Sequence, residues 1–351
     1  AKLSTTEGQV AVDNTLPTRT AVVCSRCGYG HFGVVGHDVL TARCEHCGEE
    51  LRAKDRYNKL YRIETVETKI ANRISANEEE RIRKGYELQT IFCFNKSNGK
   101  FDIRKAVMKD TDDKEICTLE YGPNATLWKI NKGWKKRKDP NVLGFNIDPI
   151  TGYWEKAQDN EDDSDEDEDN GSSKVKPQKI IPLVEDTRNI LVVSMTKEYE
   201  PNSMLTLESA LQRAIEELYQ IEQSELAVEP LPSSDEPRSL MFYEAAEGGA
   251  GVLNNLVRDE KALAETALKA LEIMHYEWKE GTVPRVITDL IDSEERGVDL
   301  HRRCVAGCYR CLLSYYNQPL HEKINPDDPD VLHILLTLAN RTVKLVSEEK
   351  T

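Results

Sequence analysis

Seven of the nine cysteines in this chain fall into two tight clusters, and no other feature limits its folding so strongly. The first cluster is Cys24-Ser-Arg-Cys27, sixteen intervening residues, then Cys44-Glu-His-Cys47. The second is Cys304-Val-Ala-Gly-Cys308-Tyr-Arg-Cys311. A Cys-x-x-Cys turn aims two sulfurs at one ion, and two such turns complete a tetrahedral thiolate shell. Cys24, Cys27, Cys44 and Cys47 are therefore expected to hold a structural zinc ion in a ribbon over residues 21–56. Gly28 and Gly48 follow the second cysteine of each pair, where the chain has to turn back beside the metal. A redox disulfide, the rival reading of an isolated pair, does not account for two pairs at ribbon spacing. Four thiolates fill the shell, so His31, His37 and His46 are expected on the surface rather than on the metal.

The second cluster supplies three thiolates, Cys304, Cys308 and Cys311, and a tetrahedral ion needs one more ligand. His321, ten residues beyond Cys311, is taken first, with His275 as the alternative and His301 as a further candidate. An iron–sulfur cluster is the competing cofactor. Zinc is preferred because the surrounding region reads as structural. Cys93 and Cys117 lie in strand-like runs and are expected to be buried thiols.

The clustering of cysteines, without a signal-like apolar N-terminus, points to metal in a reducing cytoplasm rather than to a disulfide framework. No run of about 18 apolar residues occurs, so a membrane partner is not expected. The net charge of −15 argues at first against nucleic acid. Nine of the eleven residues from Asp159 to Asp169 are acidic, however, and without those nine charges the remainder carries −6. A local basic face is compatible with that balance. The acidic run and the Gly-Ser-Ser that follows cannot bury apolar surface, and they read as a disordered linker over 157–178. An acidic mimic of DNA covering a basic site is the alternative use of such a block.

With 351 residues there is room for two or three domains, and the pattern predicts an α+β multidomain chain. Residues 1–20 read as a lead-in, 57–156 as mostly β and 179–351 as α/β. Glu87–Phe94, Ile116–Tyr121 and Thr126–Asn131 are rich in β-branched and aromatic residues, and Asn98-Gly99 is a hairpin turn. Ser75 and Glu78 form a capping box for a short helix ending at Gly85. Beyond the acidic block, Asn189–Met195 and Ser239–Tyr243 read as strands and Leu205–Ile221 as an amphipathic helix. Val252–His275 is expected to be mostly helical, and Asp327–Leu345 is expected to be a closing helix.

Six cations stand among the ten residues from Lys129 to Lys138, with Trp134 in their midst and Trp128 just before. Lys132, Lys135, Lys136, Arg137 and Lys138 could neutralise backbone phosphates while Trp134 stacks on an unpaired base. A basic hairpin with an internal tryptophan is the plainer reading. Glu247-Gly-Gly-Ala-Gly251 lacks the lysine of a phosphate loop and reads as a tight turn that packs a helix against the sheet. Asp186, Arg188, Glu244 and Glu247 invite a magnesium-dependent nuclease reading, but no lysine completes a recognisable set.

Glu244-Ala-Ala-Glu-Gly-Gly-Ala-Gly-Val-Leu253 together with Cys304–Gln318 resembles the MrfA-type zinc-binding domain. That domain occurs at the C-terminus of DEAD/DEAH-box superfamily-two helicases and in DrmB, the helicase partner of the DISARM anti-phage system. Tyr61–Thr68, Glu78–Tyr86 and Thr126–Trp134 resemble the region that precedes it in large defence helicases, so the likeness covers roughly residues 21–325. The resemblance implies helicase company, DNA as a partner, a role in repair or phage defence, and a folding role for Cys304, Cys308 and Cys311. The chain has no Gly-x-x-x-x-Gly-Lys-[Ser/Thr] loop and no Asp-Glu-x-His segment, so it is expected neither to bind ATP nor to hydrolyse it. The expectation is a non-catalytic, DNA-engaging C-terminal piece of a helicase, acting with motor domains in cis. A separately encoded DrmB-like subunit acting in trans is the alternative, and a nuclease is the third reading.

Overall fold

The computed structural model describes residues 2–3, 15–33, 42–64, 66–67, 85–154, 176–245, 249, 251–292, 307–315 and 317–346. The acidic block, the Ser75–Gly85 helix up to residue 84, and His37, Glu247, His301 and Cys304 lie outside the described residues. The chain divides into two compact units, one of residues 1–93 with 127–186 and the other of residues 94–126 with 187–351. Residues 94–126 thus group with sequence from beyond the acidic block, a grouping that a contiguous 57–156 region does not anticipate. Mixed α and β structure with a large sheet is the observed class.

The first unit is built on short strands. Arg19–Val23 pairs antiparallel with both Gly30–Phe32 and Arg56–Arg62. Arg56–Arg62 lies parallel to Gln178–Met195, with Leu60 opposite Ile181 and Tyr61 opposite Pro182. Side chains alternate across a strand, so neighbours enter different cores. Leu60 and Ile181 join Ala21, Val23, Ile91, Trp128 and Ile130, whereas Tyr61 and Ile180 join Leu16 and Ile147. Phe145–Ile147 pairs with residues 178–180, and Gly144 just before it has φ +82°. A Cβ on Gly144 would lie 2.1 Å from the Ile180 carbonyl oxygen, so only glycine permits this approach.

The second unit packs helices on antiparallel strands. The helices are α1 (Pro201–Tyr219), α2 (Val252–Arg258), α3 (Ala262–Ile273) and α4 (Pro329–Ala339). Its ladders join Val343–Leu345 to Arg104–Lys109, Arg104–Lys109 to Glu115–Tyr121, Ile190–Ser194 to Ser239–Tyr243, and Ser239–Glu244 to Leu226–Leu231. Each of these pairings is antiparallel, although the alternation of strand and helix suggests α/β. The core takes Leu207, Leu211, Ala214 and Ile215 of α1, Leu263, Ala267 and Leu271 of α3, and Val331, Leu335 and Leu338 of α4. These residues recur at helical spacing on one face of each helix, as the α1 pattern predicts.

Several boundaries differ from expectation for local reasons. Ile116–Tyr121 and Thr126–Asn131 belong to one long strand, Glu115–Trp134. Gly122-Pro123-Asn124 does not end it. A Cβ on Gly122 would meet the Phe94 ring at 2.4 Å, so the glycine admits that ring. At Asn124, where φ is 51°, side chains replace ladder partners: the Asn124 N–H donates to Asn189 Oδ1 and its carbonyl accepts from Asn95 Nδ2. The expected closing helix stops at Ala339, and Val343–Leu345 instead becomes a strand against Arg104–Lys109. Val252–His275 is two helices, broken at Asp259–Lys261. The Asn98-Gly99 hairpin is present, both residues at positive φ as a type I′ turn requires.

Candidate metal centres and nucleic-acid surface

The two Cys-x-x-Cys turns of the first unit share one geometry. The Gly28 N–H donates to the Cys24 carbonyl at 2.9 Å, and the Gly48 N–H donates to the Cys44 carbonyl at 2.8 Å. The turns then close through Cys24 N–H to the Tyr29 carbonyl and Cys44 N–H to the Glu49 carbonyl. Gly28 and Gly48 sit at φ 73° and 77°. No atom lies within 4 Å of a Cβ built on Gly48, so backbone conformation and not space selects glycine there. The four sulfurs lie within 4.8 Å of one another, with Cys24 to Cys47 at 3.5 Å and Cys27 to Cys44 at 3.7 Å. Tetrahedral zinc with bonds of about 2.3 Å places its sulfurs about 3.8 Å apart, so this donor set fits the ion. Hydrogen bonding within the set splits the thiols. Contact with Cys27 holds Cys24 well below the ordinary range and Cys47 down at about 7, while contact with Cys24 pushes Cys27 well above it.

His31 and His46 do not lie free on the surface. His46 stacks on Tyr29 with ring centroids 5.5 Å apart, and both rings meet Phe92 edge-on. His31 is buried, with its ring edge against Tyr29. The Tyr29 hydroxyl lies 3.2 Å from Cys93 Sγ. An aromatic cluster therefore packs directly behind the knuckles, a role that the spacing of these histidines does not disclose.

In the second unit, His275, Cys308 and Cys311 present ligand atoms within 4.8 Å of one another. His275 follows α3 in the left-handed conformation, at φ 67°, and its Nε2 lies 3.4 Å from Cys308 Sγ. A residue just past a helix C-terminus commonly takes this conformation, and histidine is among the residues that tolerate it. Burial pushes the Cys311 thiol up, and its sulfur accepts from the Cys308 N–H at 2.9 Å. Gly307, at φ 78°, leads into the turn. Arg213 of α1 braces it by donating to the Cys311 carbonyl and to the Glu216 carboxylate. Asn317 closes it, donating to the Leu312 carbonyl at 2.8 Å and accepting from the Ser314 N–H at 2.8 Å. His321 is placed differently: its Nε2 lies 3.0 Å from the Ser314 carbonyl and 3.0 Å from Asn317 Oδ1. Among the described residues it is His275, not His321, that is grouped with the cysteines. Of the two remaining cysteines, Cys117 is buried, its thiol pushed up to about 12 by burial, and Cys93 is half-buried.

The basic segment divides into two sets. Arg137 clasps its own turn by donating to the Pro140 and Trp134 carbonyls, and it pairs with Glu87 at 2.6 Å. Lys132 reaches the same carboxylate at 3.2 Å. Burial pushes the Glu87 carboxyl up, but Arg137 and Lys132 hold it net below its ordinary range. Trp134 stacks on Tyr86 at 4.5 Å and remains 40% exposed. Lys135, Lys136 and Lys138 are exposed.

Of the carboxylates of the nuclease reading, Asp186 and Glu244 are described, and neither belongs to a group of potential metal ligands. Glu244 is 3% exposed, accepting from Asn189 Nδ2 at 3.1 Å and from the Leu253 N–H at 3.4 Å. A Cβ on Gly249 would lie 1.7 Å from its oxygen, so Gly249 itself lies close against a carboxylate of this chain. Asp186 is exposed. Neither group of three or more potential ligands among the described residues includes a carboxylate.

Two cysteine-rich donor sets on a mixed α/β scaffold define a zinc-binding protein class. Residues 207–312 match the family model of the MrfA Zn-binding domain, so the resemblance read from Glu244–Leu253 and Cys304–Gln318 holds on that stretch. The match contains His275, Cys304, Cys308 and Cys311. Among solved structures, the crystal structure of the DUF1998 helicase MrfA bound to DNA is similar over 72% of this chain, at 10% identity and a TM-score of 0.35. This chain spans 25% of that one. No curated protein matches the sequence. No helix among the described residues is long and apolar enough to cross a membrane.

Proposed function

We propose that this chain is a non-catalytic, DNA-engaging region associated with a superfamily-two helicase and braced by two zinc centres. The observation that carries the reading is the convergence of His275, Cys308 and Cys311 inside the stretch that matches the MrfA Zn-binding domain. Cys24, Cys27, Cys44 and Cys47 would hold one ion, and Cys304, Cys308, Cys311 and His275 the other. Closed zinc shells of this kind cross-link the chain and leave no coordination position for a substrate. The 3.4 Å approach of His275 Nε2 to Cys308 Sγ supports its choice over His321, whose ring serves the turn after Cys311.

The motor would be supplied by domains in the same polypeptide or by a separate helicase, in the manner of DrmB, with DNA repair or phage defence as the setting. Contact with DNA would fall on Lys135, Lys136 and Lys138, with Trp134 beside them. Lys132 and Arg137 instead fix the turn through Glu87. Changing Lys135 and Lys136 to alanine together should weaken single-stranded DNA binding several-fold and lower the salt slope by about 1.4, at about 0.7 per cation. Fluorescence anisotropy across a salt series measures this, and unchanged affinity and slope would remove the segment from the DNA surface. Arg137→Ala is a poorer probe, because it also releases Glu87 and the Pro140 turn.

A further inference from the structure

The two inner residues of a Cys-x-x-Cys knuckle are not ligands of the metal. In the first unit these are Ser25 and Arg26, both exposed, and Glu45 and His46. In the second unit they are Tyr309 and Arg310. Tyr309 is 64% exposed, Arg310 is exposed, and Tyr315, just past the knuckle, is 63% exposed. Single exposed rings are ordinary on a protein surface, but Tyr309 and Tyr315 lie within one stretch of seven residues that also holds the exposed Arg310.

The Tyr309 ring is also held in place. It packs edge-on against His321, with centroids 5.5 Å apart. His321 is fixed in turn by the Ser314 carbonyl and Asn317 Oδ1, each 3.0 Å from its Nε2, and Asn317 is tied to the Leu312 carbonyl. Tyr315 follows Ser314, whose carbonyl lies 3.0 Å from His321 Nε2. Local charge points the same way. Across the described residues 307–315 and 317–321 the chain carries Arg310 and no acidic residue, within a molecule of net charge −15.

We infer that the outer face of the C-terminal knuckle is a stacking platform for single-stranded nucleic acid. Tyr309 offers its ring to a base, the exposed Tyr315 would take a neighbouring one, and Arg310 meets the backbone phosphate. Exposed aromatics interleaved with cations are how sequence-tolerant single-strand binders work. The brace of Tyr309 on His321 supplies the preorganisation that makes such contact effective. His321 is thereby a positioning residue for the platform. The inference rests on the DNA reading above but uses a surface separate from the Lys135–Lys138 turn.

The test uses the full zinc-loaded chain and a fluorescein-labelled oligo-dT strand, with a duplex of the same length as comparison. Tyr309→Ala should weaken single-strand binding about 5- to 100-fold, and Tyr309→Phe should stay within about 2-fold because the stacking face remains. Tyr309→Leu should resemble the alanine variant. Arg310→Ala should reduce the salt slope by about 0.7. Zinc content and Tm serve as controls for folding and should not move. Wild-type affinity in Tyr309→Ala, or equal rescue by leucine and phenylalanine, overturns the platform. If Lys135→Ala with Lys136→Ala weakens binding while Tyr309→Ala does not, the DNA reading stands and the platform falls. If the unmutated chain binds no single strand, the DNA reading itself falls. Loss of capture of a helicase motor with unaltered DNA affinity in Tyr309→Ala would make the face a protein contact and overturn the inference.

Discussion

Replacing Cys44 by serine should remove one zinc ion per chain and unfold the ribbon around it. Cys44 is buried, and its sulfur lies 3.7 Å from that of Cys27. Structural zinc contributes about 10–16 kcal/mol to small domains of this kind. Whole domains are stable by only about 5–15 kcal/mol, so the loss is large enough to release local structure altogether. His46 would come away from Tyr29, and Tyr29 from Phe92, exposing apolar area between the knuckles and the strands behind them. Hydrogen exchange should rise steeply over residues 19–32 and 42–62 while α1, α3 and α4 keep their protection. Cys93→Ser is the matched control, since Cys93 touches the Tyr29 hydroxyl and not the donor set. It should retain full zinc content and near-normal protection. Equal protection in Cys44→Ser and wild type would show that the knuckles do not depend on metal.

Glu208 should make the chain lose stability as the pH rises from mildly acidic to mildly alkaline. It sits on α1 at 7% exposure, and its Oε2 has no hydrogen-bond partner among the described residues. Burial, aided by the negative charge of Glu229, pushes its carboxyl up to about 8 from an ordinary value of 4.5. Between those values the folded chain holds a proton that the unfolded chain has released. The stabilising effect of that proton is complete below about pH 4.5 and disappears as the pH passes 8. A shift of this size corresponds to roughly 4–5 kcal/mol. Glu208→Gln cannot ionise, so it should lack this pH dependence even though its buried amide brings a cost of its own. Urea melts of both proteins at pH 5 and pH 8.5 make the comparison. Parallel stability curves would mean that Glu208 is solvated or paired in solution.

Periodicity made the elements of the second unit readable. Leu207, Leu211, Ala214, Ile215 and Leu218 mark one side of α1, and of these all but Leu218 are buried in the core. The uninterrupted apolar run Ile190–Val193 gave its strand away in the same manner. Non-local contacts left weaker traces. Gly122-Pro123-Asn124 reads as an interruption, yet Asn95 and Asn189, distant in sequence, supply the hydrogen bonds that carry the strand through. Val343–Leu345 reads as the end of a helix because its partner strand lies more than 230 residues earlier in the chain. The knuckle sulfurs follow from spacing alone, since a turn of four residues dictates where they point. The histidine grouped with Cys308 and Cys311 does not. His321 is nearer to Cys311 in sequence, but only the end of α3 and its left-handed residue bring His275 to Cys308. The exposed Tyr309 and Arg310 were visible as letters within a knuckle, but spacing alone does not find them, since His46, also an inner residue, packs on Tyr29.

Zinc content per chain tests the central claim most directly, measured by native mass spectrometry and elemental analysis on the wild type, His275→Ala and His321→Ala. The account predicts two zinc ions and no iron in the wild type. It predicts a weakened or empty second centre in His275→Ala and two ions in His321→Ala. One ion or none in the wild type, iron in place of zinc, or loss confined to His321→Ala would contradict it.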